Sequence, residues 1–181
     1  PGFIWLSCAC LFLIGCLCSN AVYGLSARNG MHRLVIVYHS QSGASARLAA
    51  AAMAGAQSVS EVSAVLYRAW DAGAQEVLAA DGLMLVAAEN AGALSGTMKD
   101  FLDRTFYPVW EQGRVLPYAL LLSAGNDGRG ARSQAQRILA GYPMREALEP
   151  LICRGVVDVV LEARAREFGA GFAAGLSMGI F

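Results

Sequence analysis

Short apolar runs recur along the chain, and helical patterns fill the spaces between them. Residues 33–38 read RLVIVY, an unbroken β-branched run suited to a strand buried on both faces. Residues 61–67 give a weaker strand pattern. Residues 82–88 (GLMLVAA) and 116–124 (LPYALLLSA) are strongly apolar. Pro117 stands near a strand start, where a missing N–H is tolerated. Residues 155–161 (GVVDVVL) predict the last strand. Residues 44–56 are rich in alanine and helical by propensity. A short helix is expected over 71–79, a longer one over 129–148 with an interruption near 141–143, and a closing helix over 162–176. The clearest helix is 95–110, where Met98, Phe101, Leu102, Thr105, Phe106 and Val109 recur at offsets of three and four. Ser95 occupies its N-cap position. Lys99 with Asp103 and Asp100 with Arg104 are opposite charges at i,i+4 on its wet side.

Strands alternating with helices in this way imply an α/β architecture, an open parallel sheet with helices on both faces. In such sheets ligands bind outside the carboxyl ends of the strands, where the strand order reverses. The informative loops are therefore those that follow the first, third and fourth strands.

Composition changes the picture at one end. Residues 1–27 carry no charge, and residues 3–25 form an apolar stretch long enough for the ~20 residues of a bilayer span. Cys8, Cys10, Cys16 and Cys18 lie there, without the histidines or spacing of a zinc site. Residues 1–30 are expected to stand apart from the working domain, which is expected to begin near Met31. A signal anchor and a cleaved signal are the other readings. An anchor followed by Arg28 and Arg33 would hold the domain on the cytoplasmic face of an inner membrane; without one the expected location is the cytoplasm. The remaining cysteine, Cys153, follows two apolar residues and reads as a packing residue.

The 14 basic and 14 acidic residues cancel, and the basic ones are scattered. That excludes the basic face of a nucleic-acid protein. Charged residues make up only 15% of the chain against a hydrophobic 56%, which excludes a disordered one. A serine hydrolase triad of the α/β type needs a histidine after its nucleophile. Here His32 and His39 both precede Ser42.

After the first strand, Ser40, Gln41, Ser42, Gly43, Ala44 and Ser45 lead into a helix. Helix N-terminal N–H groups, hydroxyls and a glycine suit a phosphate bound without a lysine, or an ordinary cap and turn. Neither the Walker pattern nor the G-x-G-x-x-G fingerprint is present. After the third strand, Glu89, Asn90, Ala91 and Gly92 begin a loop suited to lying against a flat ligand, or an exposed turn. After the fourth, Gly125, Asn126 and Asp127 can turn backbone groups toward a ligand ring, or form a mobile loop.

The stretch AENAGALSGTMKDFLDRTFYP, residues 88–108, resembles the P-E-N-F-G-x-x-S-G-x-x-K-D-F-x-D-R signature of the NAD(P)H-dependent FMN reductase and quinone oxidoreductase group. RLVIVYHSQSG at 33–43 is similar to that group's first strand and FMN phosphate loop, and AGNDG at 124–128 to its loop at the flavin's pyrimidine side. The resemblance implies a three-layer flavodoxin-like fold, a doubly wound sheet of five parallel strands over residues 31–181. It implies that Ser40, Gln41, Ser42, Gly43, Ala44 and Ser45 hold the FMN phosphate. Glu89, Asn90, Ala91 and Gly92 would border the isoalloxazine, and Gly125, Asn126 and Asp127 would meet its polar edge. It also implies NADH or NADPH as reductant, a small acceptor such as a quinone or flavin, and a possible homo-oligomer.

The chain departs from that group at Ala88, where proline is usual, and at Ala91, where an aromatic is usual. Tyr38, His39, Trp110 and Tyr118 are the other rings considered for the ligand. The alternative to the enzyme is a binding or interaction module of the same fold that has lost tight FMN binding.

Overall fold

A computed structural model describes residues 31–181. The readings made for residues 1–30 lie outside the described residues. The elements run β1 (His32–Tyr38), α1 (Ala44–Ala56), β2 (Val62–Arg68), α2 (Ala74–Leu78), β3 (Gly82–Asn90), β4 (Ala93–Leu94), α3 (Gly96–Gln112), β5 (Leu116–Ala124), α4 (Arg129–Leu139), β6 (Met144–Glu146), β7 (Leu151–Arg154) and α5 (Val159–Ser177).

The main sheet has the order β2-β1-β3-β5, and all its pairings are parallel. The place beyond β5 is filled in two pieces. β6 pairs with its amino end (Leu116↔Met144) and β7 with its carboxyl end (Ser123↔Cys153). The expected five parallel strands are thus present, the fifth in two pieces, and the short β4 pairs antiparallel with β3. The order reverses between β1 and β3, which sets the switch point there.

β1 shows why the apolar runs become central strands. Leu34, Val35, Ile36 and Val37 are all 0% exposed. Val35 and Val37 join one core with Leu85, Phe101 and Leu120, while Leu34 and Ile36 join the other with Met84, Leu121 and Phe172. Each face of the sheet is therefore dry. On one face α1 and α5 meet at backbone distance: a Cβ added to Gly55 would lie 1.9 Å from the Arg166 carbonyl oxygen, and one on Gly169 2.0 Å from that of Ala52. Cys153 is fully buried, as its neighbours imply, and burial pushes its thiol pKa up.

Three expectations are corrected. The last strand is 151–154, not 155–161. Gly155 turns left-handed (φ +79°) and ends it, and the Asp158 side chain accepts from the Leu161 N–H as the N-cap of α5. Val156, Val159 and Val160 consequently stand outside the core, at 89%, 76% and 61% exposed. The helix expected over 129–148 stops at Leu139, and the chain then passes through Pro143 into β6. Ser95 does precede α3, but its hydroxyl makes no capping bond and is buried without a partner. Among the described residues no helix is long and apolar enough to cross a membrane.

Candidate functional site

Parallel β–α units place the carboxyl ends of β1, β3, β5 and β7 and the amino ends of α1, α3, α4 and α5 at one edge of the sheet. At the tip of β1 the His39 N–H donates to the Val86 carbonyl at 3.0 Å, which holds the chain beside β3. The Gly43 N–H donates to Ser40 Oγ at 3.0 Å, closing a tight turn. Gly43 itself sits at φ +94°, and no side chain caps α1. The N–H groups of Ala44, Ser45 and Ala46 begin the helix without intrahelical acceptors. Gln41 and Ser42 are exposed beside them, whereas the Ser45 hydroxyl is buried and shares a 2.8 Å hydrogen bond with Ser123 Oγ. What Ser45 offers the turn is its backbone.

The tip of β3 is a hairpin rather than an open loop. Asn90 pairs with Ala93, leaving Ala91 and Gly92 as a two-residue turn with φ +49° and +75°. Both signs match the type I′ turn favoured by strand twist. The hairpin is docked on α4. Gln134 Oε1 accepts from the Leu94 N–H at 2.8 Å, and a Cβ on Gly130 would lie 1.9 Å from the Gly92 carbonyl oxygen. At the tip of β5, Gly125 and Asn126 are exposed, and Asp127 Oδ1 accepts from the Arg129 N–H at 3.0 Å.

Side-chain hydrogen bonds tie the three tips together. Asn90 Nδ2 donates to Gln41 Oε1 at 3.3 Å, and the Gly128 N–H donates to Glu89 Oε2 at 3.1 Å. Between the tips of β1, β5 and β7 lies a cleft of about 690 Å³, lined by Ser42, Gly43, Ala44, Gly125, Gly155 and Val156, among others. The positive ends of α1 and α4 face this edge. Arg47, on α1, is engaged elsewhere, with Glu162 and the Val157 carbonyl, each at 2.7 Å.

No family model matches the chain, and no curated protein matches it in sequence. Solved structures do match in shape. A flavodoxin from the domain Archaea superposes with a TM-score of 0.71 at 19% identity, over 80% of this chain and 99% of its own. The fold is flavodoxin-like. A WrbA-like flavodoxin from Agrobacterium tumefaciens gives 0.66 at 18% identity, over 81% and 98%. The flavodiiron protein from Giardia intestinalis gives 0.69 at 14%, over 84% of this chain but 38% of its own.

On this flavodoxin-like frame a fit to a phosphorylated planar ligand can be tested from the glycines. A Cβ added to Gly43, Gly92 or Gly125 would meet nothing within 4 Å. Gly43 and Gly92 need their positive φ; Gly125 does not. Neither packing nor a left-handed backbone calls for glycine at 125, as at Gly96 and Gly171; at the edge of the cleft the missing side chain leaves the backbone open to a ligand. The open backbone at Gly43 and Gly125, beside the N–H groups that begin α1, leaves room for such a group.

Of the rings considered, two are far from the cradle. Trp110 lies near the carboxyl end of α3, and Tyr118 near the amino end of β5, donating to Glu146 Oε2 at 3.0 Å. Tyr38 and His39 are at the tip of β1. Burial lowers the His39 pKa and keeps its ring neutral at neutral pH. Sequence reasoning missed the loop at 155–157, because it was read as strand; the Asp158 cap with Glu162 in the next turn was the available signal. It also missed Trp70, just beyond β2, whose place beside β1 depends on strand order.

Proposed function

We propose that the protein binds FMN at these tips and acts as an FMN-dependent oxidoreductase, taking electrons from NADH or NADPH to a small acceptor such as a quinone or flavin. The observation that carries the reading is the open cradle itself: unpaired N–H groups at α1, hydrogen-bonded tips of β1, β3 and β5, and open backbone at Gly43 and Gly125. The similarity in shape to flavodoxins supports it.

In this reading the N–H groups of Ala44, Ser45 and Ala46, with the hydroxyls of Ser40 and Ser42, hold the phosphate. Gly43 lets the backbone come close, and Gln41 braces Asn90. Glu89, Asn90, Ala91 and Gly92 border the ring system, and Gly125, Asn126 and Asp127 offer donors and acceptors to its polar edge. When bound, FMN supplies the hydride and electron chemistry. The chain's own residues position it and shield it from water. The balanced charge of 14 against 14 favours a small-molecule acceptor over electrostatic docking to a protein.

Ala91 favours a second reading, the interaction module, because an alanine there offers no stacking surface. One experiment separates them. The full chain is titrated with FMN while flavin fluorescence is followed, and NADH and NADPH are then added anaerobically. Quenching followed by bleaching of the flavin absorbance is the expected result. A chain that leaves the fluorescence unchanged is not a flavoprotein, and the module reading takes its place.

A further inference from the structure

A second cavity lies on the other side of the first loop. Its volume is about 290 Å³, and its walls include Tyr38, His39, Gln41, Arg68 and Trp70. β2 flanks β1 on the side opposite β3, so this cavity opens on the β1–β2 side of the first loop; Ser40, Gln41 and Gly43 are the wall it shares with the cradle. Arg68 Nε donates to the Tyr38 hydroxyl at 3.3 Å, which fixes the guanidinium beside the cavity; among the described residues neither Nη makes a hydrogen bond, and Asp71 lies near enough to act on its charge. No carboxylate lines the cavity. Trp70 is 66% exposed, although a side chain that large is ordinarily withdrawn from water. His39 Nδ1 is buried with no hydrogen-bond partner.

We infer that this cavity is a binding site for a small aromatic anion, one planar ring carrying a carboxylate or phosphate. The ring stacks on the Trp70 indole and the Tyr38 edge, and the anionic group meets the free Nη groups of Arg68. An indole offers area at little entropic cost, and a guanidinium offers paired donors to an oxyanion. The volume, about 290 Å³, sits just below the roughly 300–1,000 Å³ of small-molecule sites, which admits a single ring system and excludes a whole dinucleotide. The site is a binding site, not a reacting one, and it adjoins the cradle through Ser40, Gln41 and Gly43. It does not rest on the flavin reading.

The test is isothermal titration of the full chain, with and without saturating FMN, against salicylate, adenosine monophosphate and inorganic phosphate. At least one ring-bearing anion is expected to bind, and inorganic phosphate at least about tenfold more weakly. Trp70→Ala and Arg68→Gln, both at exposed side chains, are each expected to weaken binding about tenfold or more without lowering Tm. Trp110→Phe is expected to change nothing. Salicylate binding without adenosine monophosphate binding assigns a carboxylate ligand; the reverse assigns a nucleotide. Equal binding by inorganic phosphate, affinity indifferent to both variants, or no heat from any probe overturns the proposal. A chain that ignores FMN yet binds salicylate through Trp70 overturns the flavin reading alone, and one that binds FMN but no aromatic anion overturns this one alone.

Discussion

Ser45 and Ser123 share a buried hydrogen bond of 2.8 Å that joins the first turn of α1 to the end of β5. Both side chains are almost wholly withdrawn from water, at 1% and 6% exposed. The bond therefore ties together, beneath the tips of β1 and β5, two elements far apart in sequence. Removing one hydroxyl strands the other, at a cost of about 1–3 kcal/mol. Ser45→Ala and Ser123→Ala are each expected to lower stability by that amount, and the double variant to lose far less than the sum. Urea unfolding in a double-mutant cycle measures it; simple additivity would show that the two hydroxyls do not depend on each other.

Ala91 is the one non-glycine residue with positive φ among the described residues. A left-handed alanine costs on the order of 1 kcal/mol, and asparagine before glycine is the preferred type I′ pair. Ala91→Asn is expected to raise stability by about that amount, a rise of roughly 2–4 °C in Tm for a domain of this size. Scanning calorimetry checks it, and an unchanged or lower Tm counts against the turn assignment.

Gly125 separates function from packing. Its Cβ position is open and its φ is not left-handed, so Gly125→Ala is expected to hold or raise stability, by up to about 1 kcal/mol. FMN affinity is expected to fall at least tenfold, because the added methyl stands in the cradle. Thermal unfolding and flavin titration of the same preparation read the two effects. Loss of stability without loss of affinity would make this glycine structural.

His39 sets a pH dependence. Burial holds its pKa below the ordinary 6.5, so the folded protein binds fewer protons than the unfolded chain once pH falls below that value. Its contribution is fully present above about pH 6.5 and is lost as pH falls toward the depressed folded pKa. Denaturant midpoints of the full chain measured down through pH 6 are expected to decline, and His39→Gln to flatten that part of the profile. An identical decline in the variant assigns the effect to other groups.

Much of this architecture was legible because the central strands are dry on both sides. A run such as 33–38 has no other comfortable place than a parallel sheet, and helix 95–110 shows its apolar face directly. The last strand was not legible because two apolar runs adjoin, at 151–153 and 156–161. Periodicity alone does not choose between them, and the choice falls to Gly155 and the Asp158 cap. The β4 hairpin was hidden because two residues show no alternation and Ala91 gives no turn signal. The three tips read as candidates do meet, through Gln41, Asn90, Glu89 and Gly128. The cavity at Trp70 was out of reach because it needs β2 beside β1, a matter of crossover direction rather than of local pattern.

The close approach of α1 and α5 at Gly55 and Gly169 has a bearing on biosynthesis. Leu34, Ile36 and Met84 acquire their cover from Ala165, Phe172 and Leu176, residues that leave the ribosome long after α1 has done so. A nascent chain halted before α5 shows a greasy half-sheet to water and to any chaperone within reach. Early termination in α5 should thus yield a degraded fragment rather than a weakened domain, and the same dependence makes the contact of α1 with α5 the place where a bulky replacement for either glycine would be felt across the whole domain.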